Sequence, residues 1–344
     1  MGEIIVKVTL SDIARELNIT AATVSRALNN HPAIRESTKK MVREAAEKLQ
    51  YQPNKIASSL RLGKSNIIGV IIPSAEINFF GSVIHGIEKI ANENNYNVLI
   101  YQTNETYEYE KRGVQTFLQS QVDGVLASIS KETINLDHYS EIRKRGVPLV
   151  LFDRAVDTLG VSSVVVDDYA GAFAATKHLI MQGCKRIAHI GGQQHVNIFN
   201  QRLKGYIDAL NVHNIPVDED MIVYGKVSIE SGRDKMKKLL SLNPLPDGVF
   251  AVEDFTALGV LQALKAANKK VPDEIAIVGF ANEPFGEYIT PSLSTVNQQT
   301  VQMGEEAAKL FFKSMKMNGA FKTEPFRLVL QPELIVRQSS LKKY

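Results

Sequence analysis

Two patterns of apolar positions follow one another along the chain and change near residue 63. In the first part, short segments carry apolar side chains four positions apart, as at Ile13 and Leu17. This spacing places them on one face of a helix. In the second part, continuous apolar runs such as Ile67–Ile72 alternate with segments of helical spacing. The chain is therefore expected to combine a short helical region with a longer α/β region.

The helical region has the signals of a helix-turn-helix. Thr9 and Asp12 have the spacing of a capping box, which opens the first helix. Asn18 tolerates the left-handed conformation of a tight turn, and Thr20 can cap a second helix over residues 21–28. Two short amphipathic helices joined by a four-residue turn are typical of this motif.

Two further segments complete the N-terminal region. A third helix is expected over residues 36–49, with Met41, Ala45 and Leu49 facing inward. Residues 54–62 form a last helical segment that is too short to be stable alone, since isolated helices need about 12–15 residues. We therefore expect this segment to order only when the protein binds its partner.

The α/β region divides into two series of strands and helices, the second beginning at Ser163. Continuous apolar strands between helices are typical of parallel sheets covered on both faces, which predicts two doubly wound lobes. We place the lobe boundaries at about 64–162 plus 295–325, and about 163–294 plus 326–344. Ligands of such sheets bind outside the carboxyl ends of the strands, so the predicted site is a cleft between the lobes.

Composition narrows the class of protein. The 344 residues are 44% hydrophobic and 22% charged, as in ordinary globular proteins. No apolar run approaches the ~18–20 residues that span a bilayer, and the apolar core of the first ten residues, Ile4 to Val6, is too short for a secretory signal. A single cysteine, Cys184, excludes an intrachain disulfide and a zinc site built from cysteines. These features predict a cytoplasmic protein without a membrane partner.

The charge is unevenly distributed. The formal net charge is +3, but residues 1–63 hold ten Lys/Arg and six Asp/Glu, a net of +4. This leaves 30 of the 40 basic and 31 of the 37 acidic residues for the rest of the chain, a net of −1. Cations concentrated in a small helical unit favour a polyanionic partner, although a solvated helix face would give the same count.

Motifs for catalysis are missing from the sequence. It contains neither a phosphate-binding loop, nor the dinucleotide-binding glycine pattern, nor a His-Glu-x-x-His zinc motif. The seven histidines are scattered, and Cys184 lies in a turn where a structural role is expected. We therefore predict no cofactor, no metal and no enzymatic activity.

Short motifs in a fixed order resemble the lactose-repressor/galactose-repressor (LacI/GalR) family. They cover residues 8–14, 19–29, 51–54, 57–60, 68–70, 152–154, 166–168, 189–191, 202–206, 278–280 and 291–296. The resemblance implies a transcription regulator with an all-α helix-turn-helix headpiece (1–53) and a hinge helix (54–63). It also implies a two-lobed, periplasmic-binding-protein-like α/β domain (64–344). A homodimer on a pseudo-palindromic operator is implied as well, and the chain shows no heptad tail that would join dimers into tetramers.

The recognition helix would place its N-terminal residues in the major groove of the operator. The candidates for base contact are Ala21, Ala22, Ser25, Arg26 and Asn29, and those for phosphate contact are Thr9, Thr20, Thr23 and Ser25. Arg26 can bind guanine through two hydrogen bonds. Ala21 and Ala22 carry methyl groups that either contact thymine or only favour the helix.

In the family, a leucine of the hinge helix inserts between base pairs in the minor groove, and Leu60 matches it. Arg61 beside it could contact the groove wall. The other hinge residues that we assign to DNA binding are Asn54, Lys55 and Ala57. Packing within the linker is the alternative role for Leu60.

The resemblance also suggests an effector pocket. The candidates are Phe79, Asp153, Arg154, Arg202, Glu253, Asp254, Ala281 and Asn282. Arg202 is the strongest of them, with a surface or interlobe salt bridge as its alternative role; for Phe79 the alternative is core packing. A sugar or sugar derivative is the expected effector. A purine or a sugar phosphate is the alternative effector. A carbohydrate-binding protein or an enzyme on the same fold is the alternative to a transcription regulator.

Overall fold

The computed structural model of the chain describes residues 8–51, 64–316 and 324–342. The chain forms two compact units, residues 1–65 and residues 66–344. Among the residues described, no helix is long and apolar enough to cross a membrane.

The first unit is a three-helix headpiece. Its helices are α1 (Leu10–Glu16), α2 (Ala21–Leu28) and α3 (Glu36–Lys48). The Thr9–Asp12 capping box is present, Asn18 has a φ of 51°, and the Thr23 amide donates to Thr20 Oγ1. These local predictions are confirmed.

One prediction for α3 is wrong. Met41 is 40% exposed, whereas its neighbour Val42 is fully buried against Ile13 and Val24. The inward face of α3 is therefore Val42, Ala45 and Ala46. Methionine and valine are both apolar and adjacent in sequence, so hydrophobicity alone could not choose between two faces 100° apart.

The second unit alternates strands and helices. Its strands are β1 (Ile67–Ile72), β2 (Asn97–Gln102), β3 (Gly124–Ala127), β4 (Leu149–Phe152), β5 (Ser162–Val166), β6 (Ile187–Gly191), β7 (Ile222–Tyr224), β8 (Gly248–Ala251), β9 (Ala276–Val278), β10 (Thr295–Asn297), β11 (Arg327–Leu330) and β12 (Glu333–Ile335). Its helices are α4 (Asn78–Glu93), α5 (Tyr107–Gln119), α6 (Asp137–Lys144), α7 (Asp168–Met181), α8 (Asn197–Val212), α9 (Ile229–Leu239), α10 (Asp254–Ala266), α11 (Phe285–Tyr288) and α12 (Thr300–Lys316).

Two parallel sheets define the lobes. The first has the order β11-β5-β4-β3-β1-β2 and the second has the order β7-β6-β8-β9. Each sheet is covered on both faces: α4 and α12 pack opposite α5 and α6 in the first lobe, and α9 and α10 opposite α7 and α8 in the second. A short antiparallel pair joins β10 to β12. The predicted doubly wound architecture is confirmed.

The predicted lobe boundaries need correction. The strand at 162–166, expected to open the second lobe, pairs with β4 and β11 in the first sheet. Residues 327–330 likewise belong to the first lobe, and Val296 of β10 packs into the core of the second lobe. An apolar run is the same on either sheet, so only the long-range pairing decides its lobe.

Two glycines allow α4 and α12 to approach closely in the first lobe. A Cβ at Gly86 would overlap the carbonyl oxygen of Val301, and a Cβ at Gly304 would overlap that of Val83. Since the overlaps involve backbone atoms, no side-chain movement can relieve them. This contact fixes the distance between the two helices that cover one face of the first sheet.

We predict that Gly86→Ala destabilises the second unit by about 1–3 kcal/mol, the usual cost of overpacking. Gly81 on the same helix is the matched control, because a Cβ there meets no atom within 4 Å. Gly81→Ala should be neutral or stabilising by up to about 1 kcal/mol, as expected for alanine in a helix. Urea unfolding of both variants measures the difference, and equal stabilities would contradict the close contact.

Candidate functional site

In the headpiece, α2 has one buried face and one exposed face. Val24 and Ala27 are fully buried in the headpiece core. Ala22, Arg26 and Asn29, spaced four and three positions apart, are exposed. Residues at this spacing share one side of a helix, so the three could face a DNA groove together.

The other predicted DNA contacts take more local roles. Ala21 packs partly against the headpiece core, and Ser25 and Thr23 are half-buried. Thr9 Oγ1 donates to Asp12 at 2.7 Å, and Thr20 Oγ1 lies 2.9 Å from Thr23 Oγ1. Both hydroxyls at positions 9 and 20 therefore stabilise helix starts in the absence of DNA.

The predicted hinge contacts Asn54, Lys55, Ala57, Leu60 and Arg61 lie outside the described residues. Their assignment to DNA binding remains a prediction.

The second unit contains a cleft of about 290 Å³ between its two lobes. Asp153 and Arg154 follow β4 of the first lobe, and Glu253 follows β8 of the second, so the cleft lies at the carboxyl ends of both sheets. This is where doubly wound sheets bind ligands. The cleft is therefore the candidate effector site.

The structure brings most of the predicted effector residues together. Those that line the cleft are Phe79, Asp153, Arg154, Arg202, Glu253 and Ala281. Phe79 also belongs to the core of the first lobe, so its two candidate roles coincide.

Asp254 and Asn282 do not line the cleft. Asp254 is fully buried and accepts hydrogen bonds from Thr295 Oγ1 at 2.7 Å and from the Glu283 amide at 2.8 Å. Asn282 Oδ1 accepts from Arg337 at 2.9 Å. Adjacent residues at the end of a strand point in different directions. Glu253 and Ala281 therefore face the cleft, while Asp254 and Asn282 make hydrogen bonds to neighbouring segments of the chain.

Arg202 is buried at the base of the cleft. Its Nε donates to Asp168 at 2.8 Å, and its Nη atoms donate to the Val252 carbonyl at 2.6 Å and to Gln298 at 3.1 Å. Its guanidinium also lies 3.7 Å from the Phe280 ring centroid. The salt bridge predicted as its alternative role is present, but it is buried within the second lobe and not on the surface or between lobes.

Buried carboxyl groups surround this region. Burial raises the pKa of Asp168 to about 6 despite the neighbouring Arg202. Asp153 is 7% exposed and accepts from Ser128 Oγ at 3.2 Å, and burial raises its pKa also.

Glu253 begins α10 and faces the cleft at the same time. Its carboxylate accepts from the amides of Phe255 at 2.9 Å and Thr256 at 3.4 Å, which caps the helix. Burial raises its pKa to about 8, and the neighbouring carboxyls of Asp254 and Glu283 add to the shift. A group of this kind can accept a hydrogen bond from a ligand hydroxyl.

Several residues that line the cleft were not predicted from the sequence. They are Phe80, Lys131, Phe199, Phe255 and Gln298. Lys131 follows β3 at the same edge of the sheet as Asp153 follows β4, so the rule that found Asp153 could have found it. The phenylalanines carried no comparable signal, because apolar residues near helix starts are usually core residues.

Two family models match the chain. A periplasmic binding protein-like domain matches residues 176–340, and the bacterial regulatory proteins of the lacI family match residues 9–54. The probable HTH-type transcriptional repressor ExuR of Bacillus subtilis (strain 168) is 33% identical over 336 residues, 96% of this chain and 98% of the relative.

Solved structures share the fold. The transcriptional regulator CelR–cellobiose complex has a TM-score of 0.74 at 29% identity and covers 97% of this chain and 100% of its own. The lac repressor dimer bound to operator and the anti-inducer ONPF has a TM-score of 0.86 at 22% identity and covers 98% and 100%.

A helix-turn-helix unit followed by a two-lobed domain of this kind defines a DNA-binding transcription regulator and not an enzyme. Since a relative is 33% identical along almost the whole length, the chain belongs to the lacI family of bacterial regulatory proteins.

Glu253→Gln is expected to raise the free energy of unfolding of the protein at alkaline pH. With a folded-state pKa of about 8, Glu253 keeps its proton when folded but loses it when unfolded, so stability falls as the pH rises from about 4.5 to 8. Glutamine cannot ionise and still accepts the two amide hydrogen bonds. The gain should be several kcal/mol at pH 8.5 and close to zero at pH 4.5, because each unit of pKa difference is worth about 1.4 kcal/mol.

Thermal unfolding of the wild type and the variant at both pH values measures this difference. An equal change at the two pH values would show that Glu253 is ionised in the folded protein.

Proposed function

We propose that the protein represses transcription in the cytoplasm by binding a pseudo-palindromic operator as a homodimer, and that a saccharide or saccharide derivative in the cleft controls this binding. The observation that carries the proposal is that one chain holds both a helix-turn-helix with an exposed face that carries Arg26 and a ligand-sized cleft at the ends of two parallel sheets.

The DNA-binding part rests on α2. Arg26 is exposed on the same face as Ala22 and Asn29, and its guanidinium can bind the O6 and N7 atoms of guanine together. Thr9 and Thr20 position the backbone of the helix starts, so their amides and hydroxyls would lie near phosphates. Phosphate contacts orient the helix, while Arg26 would supply most of the base selectivity.

The headpiece is small, so two copies are needed for a specific site. The edge strand β2 of the first lobe carries Leu99 and Ile100, which are 39% and 45% exposed, and Tyr288 of the second lobe is 81% exposed. Exposed apolar groups on an unpaired sheet edge favour contact with a second copy. A two-fold dimer would match a palindromic operator.

The chemistry of the cleft favours a saccharide. Phe79, Phe80, Phe199 and Phe255 supply apolar faces, and Glu253 offers a carboxyl oxygen that accepts from hydroxyls. An apolar wall with polar groups that fix the orientation of the ligand is typical of small-molecule sites. The similarity to the CelR–cellobiose complex, which contains a disaccharide, supports the same class.

Control of DNA binding would follow from a population shift. A ligand that contacts both lobes favours the arrangement of the lobes in which all of those contacts form. It can change operator affinity only as far as it binds that arrangement more tightly than the other.

We predict that Arg26→Ala lowers operator affinity about tenfold or more and relaxes the preference at one guanine per half-site, because a bidentate pair is worth about 1–3 kcal/mol. The operator is first selected from a random palindromic DNA library, and affinities are then measured by gel shift. Arg15→Ala is the control, since Arg15 lies on α1 and its side chain is 80% exposed. Failure to select any sequence would overturn the proposed function.

Leu60→Ala should weaken operator binding much more than binding to random DNA. A wedge between base pairs stabilises only the bent, specific complex, whereas non-specific binding depends on phosphate attraction. Titration of both DNAs at one salt concentration gives the ratio. Equal losses on the two DNAs would show that the leucine does not act as a wedge.

A further inference from the structure

A smaller cavity of about 90 Å³ adjoins the cleft and shares Lys131, Arg154 and Ile198 with it. We call it the side chamber. Its lining comes from the segments that follow β3, β4 and β6, and so from both lobes. No acidic side chain is among the described residues that line it, whereas the main cleft is lined by Asp153, Glu230 and Glu253. The two cavities therefore differ in the charge that they can accept.

Two cations of the side chamber share one carboxylate. Lys131 Nζ lies 3.1 Å from Glu105 Oε1, and Arg154 Nη1 donates to Glu105 Oε2 at 2.7 Å. Burial and, after it, the neighbouring Arg154 lower the pKa of Lys131, whereas Glu105 raises it.

The Arg154 side chain is only 10% exposed. Within the described part of the chain its Nε has no hydrogen-bond partner, and the nearest carboxylate oxygen, Asp153 Oδ2, is 3.7 Å away. Leaving a buried guanidinium donor unpaired is costly, so an acceptor brought next to this group would be stabilised.

The third component is the beginning of α8, a 16-residue helix that starts at Asn197. Val196, Asn197 and Ile198 line the side chamber. In the described structure no side chain caps this helix start, and its first turn holds no acidic residue. A helix N-terminus of this kind attracts anions through its free amides and its dipole.

We propose that the side chamber binds the anionic group, a carboxylate or a phosphate, of an acidic saccharide whose sugar ring occupies the main cleft. The inference rests on the proposed function and specifies its effector class. Lys131 and Arg154 approach the anion from the first lobe and the start of α8 from the second. Arg202 takes no part, because its donors are bound to Asp168, Val252 and Gln298.

Thermal shift and calorimetry of the full chain test the inference. The probes are a uronate and an aldonate for the carboxylate, glucose 6-phosphate for the phosphate, and glucose, galactose and cellobiose as neutral saccharides. We expect at least one acidic probe to bind at least tenfold more tightly than every neutral one. Binding of only the carboxylates or only the phosphate would support the inference and identify the group.

Two variants with opposite expected effects exclude a general loss of folding. Lys131→Gln removes one cation and should weaken binding of the acidic probe at least tenfold. Glu105→Gln removes the competing carboxylate but keeps an acceptor for the Lys131 amide, which donates to it at 2.9 Å, and should strengthen binding severalfold. Lys177→Gln, at an exposed position of α7, is the control and should leave binding unchanged.

The inference is overturned if only neutral saccharides bind, or if Lys131→Gln and Glu105→Gln change the affinity for the acidic probe in the same direction. If only neutral saccharides bind, the proposed control of transcription by a saccharide still stands, and only the anion-binding inference fails. If no probe of either kind binds, both the inference and the saccharide part of the proposed function fail, while operator selection tests the DNA-binding part separately.

Discussion

The buried guanidinium of Arg202 joins four segments of the second lobe. It binds Asp168 at the start of α7, the Val252 carbonyl beyond β8 and Gln298 between β10 and α12, and it lies against the ring of Phe280 beyond β9. A buried charge is costly unless its donors are satisfied, and hydrogen bonds engage all three nitrogens of Arg202. The base of the cleft is therefore held by one side chain at the point where several strands end.

The position of α8 follows from this anchor. Arg202 lies in the second turn of the helix, so fixing the guanidinium also fixes the helix start one turn earlier. The same helix then serves two purposes: its arginine completes the second lobe, and its first residues, Asn197 and Ile198, line the side chamber. A rigid helix held in this way can orient an anion without a mobile loop.

Sequence patterns predicted the parts of the structure that depend on near neighbours. The Thr9 capping box, the Asn18 turn and the alternation of strands and helices need only a few adjacent residues. The sheet that the Ser162–Val166 strand joins was not predictable, because the strand pairs with β4 and β11 and its apolar run alone does not show to which sheet it belongs. The α12 helix was not predicted, although Met303 and Phe311 have the spacing of a helix face.

The candidate site shows the same limit. Strand ends identified Asp153, Arg154 and Glu253, because the carboxyl edge of a parallel sheet is where ligands bind. Asp254 and Asn282 were also predicted, but they bind Thr295 and Arg337 outside the cleft. Which of two adjacent residues faces the cleft depends on the course of the backbone beyond the strand, which the sequence pattern does not show. The partners of Arg202 come from positions 168, 252 and 298, which no spacing in the sequence connects.

The side chamber also indicates how a ligand could act at a distance. His195 of the second lobe lies 2.9 Å from the Lys131 carbonyl of the first, so the two lobes already meet at its rim. An anion held by Lys131 and Arg154 on one side and by the start of α8 on the other would add contacts that exist only when the lobes are close. Such a ligand has the differential affinity that control of a distant site requires, whereas a ligand bound to one lobe alone would shift nothing. The split of the anion site between lobes is thus the property that would connect effector chemistry to DNA binding.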